Sequence, residues 1–298
     1  MYEPNIDYYK GADKNIIKDL LKNVTLYKLY NTIENELKIK PVEESCNESC
    51  GAILQRASSD VSKLLELCKG ICNIITKAKN INGFCSEKSC SDAFIHMSIL
   101  LYERVEQITS SDSEINNFYK VLTSIMKTKG SQLENCSIIN FNEGKNGFKD
   151  MKYLYEFMHI CDNIKDEISE ELNEKNQLYC TYIKEFFEHY NSIEGNCRSG
   201  VKRPIYCNVI DMYTSKLIYT RTLDSIYKKC KFDNIPCDGD SFVKTNFPCL
   251  SIKENLFKNE LQSDYIKNIV STLYSAILPF ISILGILLIF YKVNMIYF

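Results

Sequence analysis

Tryptophan is absent from this 298-residue chain, and glycine (11 residues), proline (6) and histidine (3) are scarce. Glycine and proline mark most turns, so their scarcity favours long helices over a fold of many short strands. None of the histidines lies in an HExxH or CxxCH motif, and neither Gly144-x2-Gly147 nor Gly195-x4-Gly200 is followed by the Lys and Ser/Thr of a phosphate-binding loop. We therefore predict no enzyme activity, no catalytic residue, no metal, no cofactor and no small-molecule substrate.

The chain also lacks an excess of charge of either sign. It has 36 Lys and Arg against 38 Asp and Glu, which gives a formal net charge of −2. A nucleic-acid partner would need a concentrated basic face, so we expect no nucleic acid among the partners. Hydrophobic residues make up 45% of the chain and charged residues 25%, which is ordinary usage for a protein that folds around a core.

One long segment has no charged residue at all. It covers residues 268–291, with an almost purely apolar centre at 276–290 and tyrosines near its two ends, at Tyr274 and Tyr291. A helix needs about 20 apolar residues to cross the hydrocarbon core of a bilayer, and tyrosines are common at its interfaces. The sequence predicts a transmembrane helix at 268–291 that binds membrane lipid, followed by a short cytoplasmic tail at 292–298.

The first 40 residues contain no apolar run of the kind found in a cleavable signal peptide, so we predict that none is present. Lys267 and Lys292 flank the apolar segment one on each side, and the charge rule therefore gives no orientation. The cysteines decide the orientation instead. All fourteen lie on the N-terminal side of the apolar segment and are candidates for disulfide bonds: Cys46, Cys50, Cys68, Cys72, Cys85, Cys90, Cys136, Cys161, Cys180, Cys197, Cys207, Cys230, Cys237 and Cys249.

An even number of cysteines on one side of a membrane segment is typical of an oxidising compartment, because cytosolic thiols are kept reduced. We therefore expect an ectodomain outside and the tail inside. The alternative is a cytosolic domain whose cysteines are inert buried thiols. Without the cysteines, the same chain would be interpreted as a tail-anchored protein that faces the cytosol.

Four of the cysteines form two Cys-x3-Cys pairs, Cys46 with Cys50 and Cys68 with Cys72. A four-residue step places both thiols of a pair on one face of a helix. Two such helices, folded antiparallel, could be joined by Cys46–Cys72 and Cys50–Cys68. A structural zinc site is the rival hypothesis, since zinc also takes cysteines at such spacings. Disulfides are favoured because the other ten cysteines lack paired spacing.

Apolar residues recur at helical spacing along most of the chain, and such stripes usually face a core. The fold class predicted from them is all-α, a disulfide-stapled multi-helix ectodomain with one C-terminal transmembrane helix. We expect a helical body at 1–231 and a stalk at 232–267 that is irregular where Pro236, Gly239 and Pro248 lie. The stripes cover residues 61–75, 94–108, 115–126, 154–168, 178–193 and 209–230.

The order of several short motifs resembles the Plasmodium interspersed repeat (PIR) family, whose members in vivax malaria are the VIR variant antigens. The motifs are LYKLYNTIENEL at 26–37, the helix 85–105 that ends in ILLYERV, YLYEF at 153–157 followed by DNIK at 162–165, and the segment from Cys180-Thr-Tyr-Ile to Cys197. The family's tryptophan is missing from the second motif, and the tail after the apolar segment is shorter than is usual for the family.

The resemblance implies an all-helical, disulfide-bonded ectodomain that is displayed by an infected red cell or on its internal membranes. It implies a role in antigenic variation, adhesion or engagement of a host protein receptor, and it supplies no catalytic residues. The alternative function is that of a membrane-anchored structural or trafficking protein whose helical domain faces the cytosol.

Overall fold

The computed structural model describes residues 2–39, 43–51, 59–85, 90–129, 133, 135–169, 173–197, 204–213, 222–235 and 249–252. The predicted transmembrane helix at 268–291, the tail at 292–298 and Cys237 lie outside the described residues. Within the described ranges, no helix combines the length and the apolar character needed to cross a bilayer.

The described part of the chain is helix-rich, as predicted. Each of the stripes at 61–75, 94–108, 115–126, 154–168 and 178–193 lies on one helix, except that Ile168 directly follows the end of its helix. The stripe at 209–230 is divided between two helices whose connection is not described. The α-helices, numbered in chain order, are α1 (Lys14–Leu21), α2 (Thr25–Glu36), α3 (Glu44–Gly51), α4 (Ser59–Lys77), α5 (Ser91–Ile108), α6 (Asp112–Lys129), α7 (Phe148–Glu167), α8 (Glu174–Glu194), α9 (Tyr206–Tyr213) and α10 (Thr222–Cys230).

Helix α7 lies at the centre of the body and packs against α2, α8, α9 and α10, while α4 packs against α3, α5 and α6. The contact between α7 and α8 is aromatic. The ring of Phe157 lies parallel to that of Phe186 with centroids 3.5 Å apart, and Tyr182 and Phe187 contact Phe157 from the sides. Aromatic pairs of this kind stabilise the fold beyond the contribution of the apolar area that each ring buries.

Polar residues define the starts of two helices. The side chain of Asn173 accepts a hydrogen bond from the backbone N–H of Asn176 at 2.8 Å and so caps α8. Before α6, the hydroxyl of Ser111 accepts from the N–H of Glu114 at 3.5 Å. Such side chains satisfy N–H groups that have no partner within the helix, which is why the Ser-rich segment before Ile115 marks a helix start.

Two short strands lie in the segment that the sequence assigns to the stalk. Strand β1 (Phe232–Ile235) pairs antiparallel with β2 (Cys249–Ile252), with Phe232 opposite Ile252 and Ile235 opposite Cys249. Leu250 is buried and β2 packs against α8, so these residues belong to the body of the molecule. The irregular part expected around Pro236 and Pro248 lies outside the described residues.

Residues 2–10 precede α1 and form an N-terminal strap that crosses the helical body. Ile6 and Tyr9 of the strap are buried, and the N–H of Tyr9 donates to the carbonyl of Ile6 at 2.9 Å. Gly11 follows, where the chain turns toward α1. A Cβ at this position would lie 2.5 Å from the hydroxyl oxygen of Tyr9, so the turn is built closely around the tyrosine ring.

Ile16 and Ile17 offer a matched pair of substitutions, because these neighbours in α1 are 49% and 0% exposed. We expect Ile17→Ala to lower the free energy of unfolding by about 2–5 kcal/mol, since it leaves a cavity in the core. Ile16→Ala should change it by less than about 0.5 kcal/mol. Chemical denaturation of the full chain in detergent, followed by circular dichroism, measures both. Equal losses in the two variants would contradict the placement of α1.

Candidate functional site

The cysteines form a framework of disulfide bonds within the described residues. Cα–Cα separations run from 4.3 to 5.9 Å, close to the range that is usual for disulfide bonds. The bonds are Cys46–Cys72, Cys50–Cys68, Cys85–Cys90, Cys180–Cys230 and Cys197–Cys207.

Two of these bonds join α3 to α4 in the pairing that the Cys-x3-Cys spacing allows. Because the four sulfurs are bonded to one another, they are not available as zinc ligands. In the ranges that the structure describes, no three His, Cys, Asp or Glu side chains form a group that could hold a metal ion. The buried residues of α3 are Cys46 and Cys50, so the helix is attached to the body mainly through its cysteines.

Two further bonds hold the C-terminal helices, whereas Cys85–Cys90 closes a short loop before α5. Cys180–Cys230 links α8 to the last residue of α10 across 50 positions of the chain. Cys197–Cys207 links the turn after α8 to the start of α9. The sequence identified these four cysteines as candidates but gave no pairing for them, because their spacing shows no repeating step.

Cys136 and Cys161 are thiols in this structure. Cys161 is fully buried on α7, and burial raises the pKa of its thiol to about 12. Burial also raises the pKa of Cys136. Reactive cysteines need a lowered pKa, so both environments keep the thiol protonated. Cys237 and the side chain of Cys249 lie outside the described parts of the chain.

A buried ionic cluster lies between α7, α5 and α2, and the sequence interpretation missed it. Lys152 and Glu156 lie one turn apart on α7, and both are only 2% exposed. The Nζ of Lys152 lies 3.7 Å from Glu156 Oε1 and also contacts Glu103 of α5. Burying charges is costly unless they are paired and hydrogen-bonded, and here one lysine contacts two carboxylates.

Tyrosine hydroxyl groups complete the cluster. Tyr30 donates to Glu156 Oε1 at 3.0 Å, and Tyr27 donates to Oε2 at 3.5 Å. Tyr2 of the strap donates to Glu103 Oε2 at 2.8 Å and accepts from Lys152 Nζ at 2.7 Å. The phenols therefore supply the hydrogen bonds that water would otherwise make to the buried charges.

The environment changes the acidity of the buried groups. The pKa of Glu156 is raised to about 7, mainly by burial and in part by the nearby Glu103, while Lys152 and the hydrogen bonds from Tyr30 and Tyr27 lower it. For Lys152 itself burial lowers the pKa, but the two carboxylates outweigh burial and hold the pKa above its ordinary value. The carboxyl of Glu156 therefore titrates near neutral pH.

Two histidines extend the cluster behind Tyr30. The Nδ1 of His96 lies 3.5 Å from the Tyr30 hydroxyl, and the rings of His96 and His159 meet edge to face with centroids 4.2 Å apart. At the outer rim, Arg104 Nε donates to Glu34 Oε1 at 2.8 Å. The arrangement joins α2, α5 and α7 through polar contacts.

Local spacing did not indicate the cluster. Lys152 and Glu156 are four residues apart on α7 and lie on the helix face opposite the apolar stripe, where a solvent-facing ion pair would be expected. Their partners Glu103 and Tyr2 are 49 and 150 positions from Lys152, so the pairing itself could not be inferred from local spacing.

Comparisons with protein family models, with curated proteins and with solved structures found no match to this chain.

Removing the two bonds between α3 and α4 should release α3. We expect replacement of Cys46, Cys50, Cys68 and Cys72 by Ser to lower the free energy of unfolding by about 2–4 kcal/mol for each bond. The amides of α3 should lose protection in hydrogen exchange, whereas α7 stays protected. Removal of Cys85–Cys90 by serines is the matched control, and it should leave α3 protected. Unchanged protection of α3 in the fourfold variant would show that other contacts hold it.

The Glu156 carboxyl should make stability depend on pH. Its pKa is about 7 in the folded chain and about 4.3 when exposed, so the folded state binds more protons between these values. The stability from this group is present at low pH and is lost as pH rises toward 7. We expect the free energy of unfolding to fall by about 2–3 kcal/mol from about pH 5 to about pH 8.

Glu156→Gln should remove that fall, because the amide has no proton to release. Glu143→Gln, at an exposed position, should retain it. Denaturant titrations at several pH values measure both variants. A wild-type stability that stays flat across this range would contradict the buried carboxyl.

Proposed function

We propose that this chain is a membrane-anchored recognition ectodomain of the PIR type, a variant surface antigen or adhesion module at the infected red-cell or parasite membrane. The observation that carries the proposal is the pairing of ten cysteines in five disulfide bonds, all on one side of the apolar segment at 268–291. Disulfides form and persist in oxidising environments, which supports an orientation with the helical body outside.

The placement of the motifs in the fold gives further support. The motif at 26–37 covers most of α2, the segment 85–105 reaches into α5, the motifs at 153–165 lie on α7, and the segment from Cys180 to Cys197 covers most of α8 and the turn after it. These helices form the core of the described body. A family of variable antigens would share its core helices and differ on its surface, and the four motifs lie on such helices.

A host protein is the partner that this proposal implies, and membrane lipid binds the apolar segment. The proposed role needs a stable scaffold with an exposed surface, and the disulfides supply stability to less buried segments such as α3, α10 and the turn after α8. A protein exposed to extracellular proteases benefits from such bonds, because local opening of the chain is restricted.

The redox state of the cysteines in intact infected cells tests this proposal. Alkylation under denaturing, non-reducing conditions, followed by peptide mapping, should recover the five pairs and should label Cys161. Protease added outside intact cells should trim the chain. Samples reduced before alkylation serve as the control, in which every cysteine is labelled. Full labelling without reductant, together with resistance to outside protease, would refute the proposal and favour a structural or trafficking protein that faces the cytosol.

A further inference from the structure

The N-terminal strap is attached to the helical body through two tyrosines. The backbone N–H of Tyr2 donates to Asn31 Oδ1 at 2.7 Å, and its ring lies 4.5 Å from the ring of Tyr30. Tyr8 stacks on His189 with centroids 5.2 Å apart and meets the ring of Tyr153 edge to face at 4.9 Å. The strap therefore reaches from α2 at one end to α7 and α8 at the other.

Glu156 lies beneath the strap. The negative charge of its carboxylate acts on both Tyr2 and Tyr8 and contributes to their raised pKa values, although burial is the main cause for each tyrosine. The groups that face Glu156 from the surrounding helices are Tyr27 and Tyr30 of α2, Glu103 of α5, Lys152 of α7 and Tyr182 of α8.

The charges under the strap do not balance when both carboxylates are ionised. Lys152 contacts Glu103 and Glu156, so the three groups together carry one more negative charge than positive. Tyr2 is bonded to Glu103 and Lys152 and covers the part of the site where Lys152 and Glu156 are almost fully buried, while the side chain of Glu103 remains 26% exposed. Excess buried charge is unfavourable, and it is relieved either by a proton on Glu156 or by lifting the strap so that water enters.

We propose that the N-terminal strap is a proton-dependent latch, which stays seated over the cluster when Glu156 is protonated and loosens when Glu156 is ionised. The seated strap excludes water from the carboxyl, and the open strap admits it. Because only the seated form favours the proton strongly, a proton binds as the strap closes and leaves as it opens. The latch controls access to the aromatic and ionic surface that the strap covers, and it does not depend on the function proposed above.

Other ionisable groups also lie close to the strap, and their effects must be separated from that of Glu156. His189 stacks on Tyr8, and its Nε2 lies 3.2 Å from Asp150 Oδ1. His96 and His159 lie behind Tyr30. Asp7 of the strap pairs with Lys149 at 3.0 Å, and this pairing lowers the pKa of Asp7, which places its titration well below neutral pH.

Hydrogen exchange of the strap in the full chain, in detergent, tests the latch. The N–H of Tyr9 donates to the carbonyl of Ile6, and that of Lys10 lies 3.4 Å from Glu185 Oε2. The exchange of peptides that cover residues 2–10 therefore measures how often the strap leaves the helical body. After correction for intrinsic exchange rates, protection should fall between about pH 5.5 and about pH 8.5. The fall should be at least about threefold and at most about 30-fold, the limit reached if opening returns Glu156 to its ordinary pKa.

Variants identify the side chain that is responsible for the pH dependence of strap protection. Glu156→Gln should give a strap whose protection does not change with pH, while Glu185→Gln, which alters a carboxylate contacting the strap from outside, should keep the pH dependence. His189→Asn should also keep most of it. The proposal is overturned if wild-type protection is independent of pH, if Glu156→Gln leaves the dependence intact, or if His189→Asn abolishes it.

If the Glu156→Gln chain does not fold, Tyr2→Ala provides a second test of the latch. Without the ring that covers the cluster, water reaches Glu156 at every pH, so the melting temperature should lose its dependence on pH between about pH 5.5 and about pH 8.5. Tyr9→Phe is the control in the same strap, and it should retain that dependence. A Tyr2→Ala chain that is folded and melts with the wild-type pH dependence would refute the role of the strap as the cover.

Discussion

The contact of Lys152 with Glu103 and Glu156 is the constraint around which the helical body is arranged. A buried ammonium needs charged partners and hydrogen bonds on all sides. Here these come from α5 and α7, while tyrosines of α2 and the strap satisfy the carboxylates. An apolar core would tolerate small shifts of these helices, but an ionic cluster holds them in one arrangement because each misplaced partner leaves a buried charge unsatisfied.

The disulfides act on a different part of the molecule. The ionic cluster and the aromatic contacts of Phe157 hold the inner helices, whereas the bonds of Cys46, Cys50, Cys180 and Cys197 hold helices and turns that bury less of their own surface. Inner helices are thus held by packing and polar contacts, and outer ones by covalent bonds. This division explains how a large helical domain combines a specific core with firmly attached peripheral helices.

Local patterns in the sequence predicted much of this fold. The apolar stripes gave α4, α5, α6, α7 and α8, and the Cys-x3-Cys spacing gave the geometry of the α3–α4 pair. The partners that lie far apart in the chain could not be predicted. Cys180–Cys230 spans 50 positions, and the charge of Lys152 is balanced by a residue 49 positions away. Strands β1 and β2 were also missed, since four-residue strands carry too few residues to show alternation.

Helix α3 has a consequence for how the molecule could change over time. Its buried side chains are those of Cys46 and Cys50, and the residues between and beside them face outward. Residues with no role in the core can be exchanged at little cost in stability. As long as the two cysteines remain, the disulfide bonds keep α3 attached to α4. Its exposed residues can therefore be substituted at little cost in stability, and the packing of the helices beneath it does not change.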